Sequence, residues 1–477
     1  CASVELAEAS GYGSEVWLDN VHVGISGLHP SVYLCSETQE RFMWVVPPET
    51  TPLVLEHYNC VYDFPGVSLG SKASVIGKIR DNGQYVVHYK DETIVDAKAK
   101  EVTKGFLYNR EHKPKQHNSN EPSIHLKENL TNVLFKMLAH ENIASREPIY
   151  ETYDKQVQGR SVLEAGVSDS GVLAPFNSID FPEEIRNVGI ALSTDQNPRY
   201  CEISPYWGGV NAVVEAMRNV AATGASPHAI SDCLCFGNPE KPNQMWEFVE
   251  AVRGIADACK TITLKDNPKS PTPIIAGNVS FYNESKTGAI PPSPIVSCLG
   301  KIKDVSKSIS MGFQKLDSDI FMVGHRKNEL GGSLFYELFN ELGKNVPKPN
   351  LNLVKKEIFT VIDCIENGLI QSCHDISDGG VAVCIAEMCF PNKIGCDITI
   401  PGSFSTETLL FSETGGFIFE SVHENKNQIL NLFLSEGVPL VKIGKTKKEK
   451  SIDLNGEISA SLKEANSLWE YGLRSKL

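Results

Sequence analysis

A polar stretch that follows a predicted strand carries residue types suited to phosphate or magnesium. Pro273–Ala276 is apolar and predicts a strand, and Gly277, Asn278 and Ser280 come directly after it. Glycine allows a ligand to approach the backbone closely, while Asn and Ser supply hard oxygen atoms and hydrogen-bond donors. Ligands of α/β proteins bind at strand ends. The stretch therefore predicts a phosphate or magnesium site, although an ordinary polar turn uses the same residue types.

A carboxylate stands inside an otherwise apolar predicted strand. Asp232 belongs to the stretch Ala229–Leu234. A buried carboxylate is costly unless it is paired, bound to a metal or hydrogen-bonded. Asp232 is therefore a candidate contact for a nucleotide or for magnesium. The alternative is a carboxylate that faces an edge or caps nearby backbone.

The segment His374–Gly380 places a histidine and two carboxylates, Asp375 and Asp378, before a helix that opens with glycines. This pattern is compatible with metal or phosphate binding. Asp378 as a plain N-terminal helix cap is the competing interpretation.

A further polar run, Ser36–Arg41, includes Glu37, Thr38 and Gln39 and stands before a predicted strand, Phe42–Val46. It could form a hydrogen-bonding cradle for a polar substrate. It could equally be a surface segment with an ion pair of little energetic consequence.

The elements that must position these residues suggest a mixed α/β protein. Ser74–Ile79 and Tyr85–Tyr89 flank Asp81-Asn82-Gly83, which predicts a β-hairpin. Strand and helix patterns alternate between residues 150 and 300, and further strands and helices follow to residue 477.

An internal repeat links the two ends of the chain. Leu6–Ala9 resembles Ile385–Met388, Cys35–Thr38 resembles Phe411–Thr414, and Ile76–Lys78 matches Ile443–Lys445. Because the matches keep their order and similar spacing, we infer two copies of one domain with a different domain between them. The order is that of a duplicated two-domain protein without its first N-type domain.

The composition of the chain argues against some classes of function. The chain has 477 residues, a formal net charge of −14 and 13 cysteines that form no CxxC pair. Such an acidic chain is a poor candidate for nucleic-acid or membrane-surface binding. No apolar run reaches the length of about 18 residues that spans a membrane. Dispersed, odd-numbered cysteines indicate reduced thiols, so we expect a cytoplasmic protein.

At these motifs the sequence resembles the phosphoribosylformylglycinamidine synthases of the aminoimidazole ribonucleotide synthetase superfamily. The resemblance covers residues 36–41, 145–160, 218–240, 277–285 and 374–380, in family order. It implies an α+β, aminoimidazole ribonucleotide synthetase-like fold with internally duplicated N-type and C-type α/β domains. The expected domains are an incomplete C-type domain over 1–105, a linker over 106–125, an N-type domain over 126–300 and a second C-type domain over 301–477.

The resemblance also implies an activity. Family members are ligases that convert formylglycinamide ribonucleotide to the amidine, using ATP, Mg²⁺ and ammonia, by phosphorylating the amide oxygen. The resemblance implies that the substrate contacts are Glu37, Thr38, Gln39 and Ser280, and that the nucleotide contacts are Asp232 and Gly277. It implies that Asn278 is a metal ligand. It also implies a pseudo-symmetric site, which holds a nucleotide without turnover in some relatives and is formed here by Asp375, Asp378 and Glu413.

The sequence also departs from the family pattern. The family's catalytic histidines belong to a first N-type domain that has no counterpart here, so we expect no catalytic residue in this sequence. The resemblance implies a separate glutaminase subunit and a small accessory subunit as partners, together with that N-terminal domain. The alternatives are a non-catalytic nucleotide-binding scaffold, or another superfamily enzyme such as a selenophosphate synthetase or a thiamine-phosphate kinase.

Overall fold

A computed structural model describes residues 2–36, 41–105, 107–115 and 120–477. Contacts between residues divide the chain into two compact units, Cys1–Asn109 and Arg110–Leu477. Each unit is described by itself below. The finer division into 1–105, 106–125, 126–300 and 301–477 remains a prediction.

The first unit is a small sheet flanked by short helices. Its sheet has the strand order β2-β1-β3-β4 and packs Val4, Val16, Leu18 and Val87 into a compact core. The strands are β1 (Gly13–Trp17), β2 (Gly77–Arg80), β3 (Gln84–Tyr89) and β4 (Glu92–Lys98). The helices are α1 (Ala2–Glu8), α2 (Pro30–Cys35), α3 (Thr51–Glu56), α4 (Phe64–Val67) and α5 (Ala99–Lys104).

The second unit begins with helices and continues into a sheet of order β5-β6-β11-β7-β8, against which two long helices pack. Its strands are β5 (Gly171–Leu173), β6 (Gly189–Asp195), β7 (Ser226–Cys235), β8 (Ile274–Ser280) and β11 (Ser293–Ile302), with β9 (Glu284–Ser285) and β10 (Gly288–Ala289) forming a separate pair. The helices are α6 (Leu130–Leu138), α7 (Glu147–Tyr150), α8 (Pro198–Ile203), α9 (Pro205–Ala222) and α10 (Pro242–Thr261).

The remainder of the second unit is built on a larger sheet of order β13-β15-β12-β16-β14-β17-β18. Its strands are β12 (Asp319–Val323), β13 (Ser372–Asp375), β14 (Gly395–Ile398), β15 (Phe417–Ser421), β16 (Leu440–Lys447), β17 (Ser451–Leu454) and β18 (Ile458–Ser461). Its helices are α11 (Leu334–Glu337), α12 (Leu351–Glu366), α13 (Gly380–Cys389), α14 (Thr406–Phe411), α15 (Lys426–Glu436) and α16 (Leu462–Arg474).

The internal repeat found in the sequence is also present in the strand order of the two sheets. Order β2-β1-β3-β4 in the first unit reproduces the order β16-β14-β17-β18 of the second. The pair β1–β3 is parallel, as is its counterpart β14–β17, and the flanking pairs are antiparallel in both copies. The two copies therefore share one strand arrangement over this part of the sheet.

Two predicted elements of the first unit are wrong, and the topology explains both. The predicted hairpin does not form, because β1 lies between β2 and β3 and pairs with each of them. The predicted strand Phe42–Val46 is irregular. Its counterpart β15 is held between β12 and β13, whereas among the described residues the segment 42–46 pairs with no strand.

Within the described residues, we find no helix that combines the length and the apolar character needed to cross a bilayer.

Candidate active site

A cluster of carboxylates forms where the smaller sheet of the second unit meets its central helix. Strand β6 ends at Asp195, whose side chain points toward α9. On α9, Glu215 and Asn219 are four residues apart and so lie on one face of the helix. The Asn219 amide donates to Asp195 Oδ2 at 3.1 Å, and the nearby charge of Asp195 raises the pKa of Glu215. Helix α9 therefore places a second carboxyl group, that of Glu215, close to the end of β6.

The segment His374–Gly380 completes the cluster from the larger sheet. Asp375 ends β13, and Asp378 lies in the turn before α13. The turn closes through Gly379 and Gly380, whose φ angles of 79° and 69° favour glycine. Asn197 donates to Asp378 Oδ1 at 3.2 Å, and Asp375 Oδ2 is a buried oxygen without a hydrogen-bond partner among the described residues.

Burial and mutual repulsion raise the pKa of each carboxyl group. Burial, then the nearby charges of Asp378 and Asp375, raise the pKa of Asp195 well above its usual range. Burial and the Asp195 charge do the same for the pKa of Glu215. Burial and Asp169 raise the pKa of Asp375 to about 7. Burial raises the pKa of Asp378 to about 6, although Asn197 favours its ionised form. Nearby positive charge from Arg218 lowers the pKa values of Glu215 and Asp375 only in part, so the pKa values stay raised.

A buried arginine lies beside these carboxyl groups. The Arg218 side chain leaves α9 and is only 5% exposed. Its Nε has no hydrogen-bond partner among the described residues, and its charge acts on Glu215 and Asp375. A buried guanidinium is costly unless its donors are used. The Nε of Arg218 is therefore a donor available to an anion.

Arg218 also explains how the second copy of the repeat differs from the first. A Cβ atom at Gly415 would lie 1.6 Å from Arg218 Nη1. The first copy has Gln39 at the position equivalent to Gly415. A glutamine side chain there would occupy the space of the guanidinium, so the glycine follows from the position of Arg218.

His374 forms a bridge between two carboxylates. Its Nδ1 lies 2.8 Å from Asp169 Oδ1, and its Nε2 lies 3.1 Å from Glu387 Oε2. Burial disfavours the imidazolium, yet these partners raise the pKa of His374 well above its usual value. Asp169, His374 and Asp375 have ligand atoms within 4.8 Å of one another. Since both ring nitrogens face carboxylates, His374 is suited to hold Asp169 in place beside the cluster.

The carboxylate of Glu413 accepts three hydrogen bonds. It accepts from the Tyr200 hydroxyl at 2.5 Å and from the backbone N–H groups of Leu334 and Gly379 at 2.8 and 2.9 Å. Burial raises the pKa of Glu413 to about 8. Through Gly379 it fixes the turn that carries Asp378. Its direct role in the structure is therefore to position the turn.

The predicted nucleotide contacts share a row of the smaller sheet with Asp195. In the strand register, Asp195 is opposite Val296, Val296 is opposite Asp232, and Asp232 is opposite Gly277. Residues in one row project to the same face, and two strand spacings place Asp195 and Asp232 roughly 9.5 Å apart. Burial raises the pKa of Asp232. A Cβ atom at Gly277 would lie 2.2 Å from Asp232 Oδ1, so glycine at this position leaves room for the carboxylate.

Asn278 and Ser280 face the other side of the sheet. Both belong to β8 and not to a loop after it, because the strand runs from Ile274 to Ser280. They pair with Cys233 and Cys235. The register therefore separates these two predicted contacts from Asp232 and Gly277. Glu37, Thr38 and Gln39 lie outside the described residues.

The sequence analysis missed Asp195, Glu215, Arg218 and Asn219. Asp195 had a signal of the same kind as Asp232, because it ends the apolar strand β6. Glu215, Arg218 and Asn219 interrupt a helix whose other residues are mostly buried and apolar. Polar residues with a spacing of three or four on such a helix share one face. That pattern could have identified them.

The arrangement can bind divalent cations and an anion together. Carboxylate and amide oxygens are the ligands that Mg²⁺ prefers, and a buried cation would keep all four carboxyl groups ionised. Asp195, Glu215, Asp375 and Asp378 are the carboxyl groups near enough to influence one another's pKa, and among the described residues Asp375 also belongs, with Asp169 and His374, to a group whose ligand atoms lie within 4.8 Å of one another. Arg218 adds a donor that suits phosphate oxygens.

Comparisons with known proteins agree with this architecture. Residues 169–302 match the AIR synthase related protein N-terminal domain, and residues 319–457 match the corresponding C-terminal domain. Over the whole chain, the sequence is 43% identical to the phosphoribosylformylglycinamidine synthase subunit PurL of Methanothrix thermoacetophila, of which it covers 62%. It is 35% identical, over 97% of the chain, to the same subunit of Methanocaldococcus jannaschii, again covering 62% of that protein.

Solved structures give the same fold. Thermotoga maritima PurL complexed with ATP superposes with a TM-score of 0.59 at 18% identity, covering 94% of this chain and 61% of that one. The same protein complexed with FGAR gives a TM-score of 0.59 at 19% identity, with 94% and 60% coverage. The chain therefore belongs to the AIR synthase related proteins, and it is similar to phosphoribosylformylglycinamidine synthase subunits PurL, spanning about 62% of the length of these curated relatives.

Proposed function

We propose that this chain serves the ATP-dependent conversion of formylglycinamide ribonucleotide, FGAR, to its amidine in purine biosynthesis. The observation that carries the proposal is the 43% identity to a synthase subunit along the full length of the chain. The Thermotoga PurL structures with ATP and with FGAR support ATP and FGAR as its ligands.

The chemistry requires little covalent help from the protein. An amide is a poor electrophile, and phosphorylation of its oxygen by ATP converts that oxygen into a leaving group. Ammonia then adds to the carbon, and phosphate departs. The protein must hold phosphate charge and orient the two substrates. This requirement fits a site built from Asp, Glu, Asn and Arg side chains.

We assign the buried carboxylate cluster to a magnesium nucleotide. Asp195, Glu215, Asp375 and Asp378 would hold Mg²⁺, which neutralises their charge and that of the phosphates, and Arg218 would donate to a phosphate oxygen. Asp375 Oδ2 and Arg218 Nε have no hydrogen-bond partner in the part of the chain that the structure describes, and this supports the assignment. Asp169, fixed by His374, lies at the border of the same cluster.

We assign substrate contacts to the edge strand β8. Ser280 and Asn278 lie on the face of the sheet opposite the helices, where Asn278 is exposed. Ser280 would contact FGAR and Asn278 would ligate a metal ion, with Glu37, Thr38 and Gln39 as further substrate contacts. Asp232 and Gly277 would contact nucleotide from the helix-facing side. We also propose a cytoplasmic location and two partners, a glutaminase subunit that supplies ammonia and a small accessory subunit.

Calorimetric titration of the purified chain tests the assignment. With Mg²⁺ present, we expect binding of FGAR and of ADP, and weaker FGAR binding by about tenfold in Ser280→Ala, since one good hydrogen bond is lost. Ser285→Ala, on the exposed strand β9, is the matched control and should leave FGAR binding unchanged.

The same titration separates the alternatives. Binding of thiamine monophosphate or selenide in place of FGAR would favour another enzyme of the superfamily. Binding of ADP with no response to FGAR would favour a nucleotide-binding scaffold. A chain that binds neither FGAR nor ADP contradicts the proposal.

A further inference from the structure

Two buried arginine side chains meet at Gly415. Arg218 on α9 is 5% exposed, and Arg326 in the loop after β12 is 7% exposed. Arg326 donates to the carbonyl oxygens of Ser412 and Gly415 at 3.2 and 3.1 Å. A Cβ atom at Gly415 would lie 1.6 Å from Arg218 Nη1. Both guanidinium groups therefore reach the same residue, although like charges repel strongly in a buried site.

Neither guanidinium group has a complete set of partners. Within the part of the chain that the structure describes, Arg218 donates no hydrogen bond, and neither arginine forms an ion pair. The Nε atoms of both are buried and have no hydrogen-bond partner among the same residues. Burial and the charge of Arg218 lower the pKa of Arg326 to about 10. The two side chains therefore leave donors and positive charge unused.

The nearby carboxyl groups balance this charge only in part. Glu357 is 4% exposed and lies near both arginines, whose charges lower its pKa, yet burial keeps that pKa raised. Glu329 acts on Arg326, but it already pairs with Lys327 at 3.5 Å. Arg218 also acts on the carboxylate cluster, where the pKa values stay raised despite its charge. A carboxyl group that is held partly protonated is a weak counterion, so the arginines keep an excess of positive charge.

We propose that Arg218 and Arg326 form a binding site for a phosphate-type oxyanion, either inorganic phosphate or a phosphoryl group of a nucleotide. A buried guanidinium is costly unless its donors are used, and its planar fork of N–H groups matches the oxygens of phosphate. The unused donors are those of Arg218 and the Nε of Arg326. Arg326 extends the site beyond the nucleotide assignment above, which involves Arg218 alone, and binding of phosphate by itself does not depend on that assignment.

The donors are held in place before an anion binds. Arg326 is fixed by its two hydrogen bonds to carbonyl oxygens, and the hydroxyl of the fully buried Ser412 donates to the carbonyl oxygen of Lys327 at 2.9 Å. Gly415 leaves room for Arg218 beside this loop, since any side chain there would collide with the guanidinium group. Preorganised donors lose little conformational entropy when a ligand binds. The site should therefore bind phosphate without a metal ion.

Thermal unfolding of the full chain tests the proposal, with inorganic phosphate as the probe and neither metal nor nucleotide present. We expect a saturable rise in Tm of about 2 °C or more at a phosphate concentration of about a hundred times Kd. Sodium acetate and sodium chloride at the same ionic strength should raise the Tm less, because phosphate carries more charge and more acceptor oxygens than either ion. An equal rise with all three salts, or no rise with phosphate, would overturn the proposal.

Variants of the chain locate the binding. Arg218→Met removes a charge and no hydrogen bond to the described residues, so without phosphate its Tm should equal or exceed that of the natural chain. Its calorimetric affinity for phosphate should fall by about tenfold or more, since charge-assisted hydrogen bonds are lost. Arg326→Lys keeps the charge without the planar fork and should weaken phosphate binding by about threefold or more.

The matched control is Arg253→Met, at an arginine of α10 whose side chain is 59% exposed. This variant should bind phosphate as the natural chain does. Equal phosphate affinity in all three variants would overturn the proposal. A markedly lower Tm of Arg218→Met without phosphate would also overturn it, by showing that the charge of Arg218 is already balanced inside the free protein.

Magnesium ADP identifies the source of the oxyanion. Phosphate binding that persists at saturating Mg²⁺ and ADP assigns the site to inorganic phosphate, whereas competitive displacement of phosphate by ADP assigns it to a phosphoryl group of the nucleotide. Absence of phosphate binding overturns the proposal even where ADP and FGAR bind. Phosphate binding without any binding of ADP or FGAR would instead count against the proposed function alone.

Discussion

Removing one carboxyl group from the buried cluster should stabilise the free protein and abolish its response to magnesium nucleotide. The substitutions are Asp195→Asn and Glu215→Gln, which keep size and replace a charged oxygen with an amide. Both residues have raised pKa values because of burial and neighbouring carboxylates. In the free protein Arg218 offsets this repulsion only in part, and a bound cation would relieve the remainder.

The magnitude follows from the local charges. Two unit charges about 4 Å apart repel by about 4 kcal/mol at an effective dielectric constant of 20. A proton shared by Asp195 and Glu215 removes part of that repulsion, so each variant should gain about 1–3 kcal/mol in the free energy of unfolding. For a unit as large as residues 110–477, that gain corresponds to a Tm about 1–5 °C higher.

Thermal unfolding with and without ligand provides the assay. At a ligand concentration of a hundred times Kd, bound magnesium ADP stabilises the folded state by about 2.7 kcal/mol. The natural chain should therefore gain a few degrees in Tm with Mg²⁺ and ADP together, and less with either alone. The variants should begin higher and gain almost nothing. Glu464→Gln, at an exposed residue of α16, should behave as the natural chain.

Two results would refute the reasoning. A lower Tm of Asp195→Asn in the absence of ligand would mean that the carboxylate stabilises the free protein. An undiminished ligand shift in both variants would mean that the nucleotide binds elsewhere.

Two further predictions concern stability. Gly415→Gln, which restores the residue type of the first copy, should cost about 3 kcal/mol or more in urea denaturation, since the new side chain collides with Arg218; an unchanged midpoint would contradict the packing. Asp319→Asn should cost about 3 kcal/mol at pH 7 by leaving Lys442 without its buried partner. Although burial opposes ionisation, Lys442 and His423 hold the pKa of Asp319 below its usual value. The contribution of Asp319 is therefore present above about pH 4 and lost below it, so the stability difference between the natural chain and Asp319→Asn should shrink between pH 5 and pH 3.

Local sequence patterns predicted those parts of the fold whose partners are close in the chain. The strands and helices of the second unit follow apolar periodicity, and α13 (Gly380–Cys389) is the helix that was predicted to follow the motif His374–Gly380 and to open with glycine. The hairpin failed because a turn-like sequence, Asp81-Asn82-Gly83, does not reveal that β1 inserts between the flanking strands. Such an arrangement depends on pairing between strands that are far apart in the sequence.

The candidate site was only partly predictable for the same reason. Asp375 and Asp378 stand in a motif with glycines, and that motif was recognisable. Asp195 and Glu215 acquire their significance only when β6 and α9 place them together. Glu413 was expected in the site, and that assignment stays a prediction, while its hydrogen bonds to Tyr200 and to backbone N–H groups show that it also positions the turn that carries Asp378.

The most direct test of the nucleotide assignment is a crystal structure of the chain with Mn²⁺ and ADP, using anomalous scattering to locate the metal. We predict manganese coordinated by oxygens of Asp195, Glu215, Asp375 or Asp378, with a phosphate oxygen at hydrogen-bonding distance from Arg218. Manganese and nucleotide bound only at the β7–β8 edge, or a cluster without metal while ADP is bound elsewhere, would contradict this assignment.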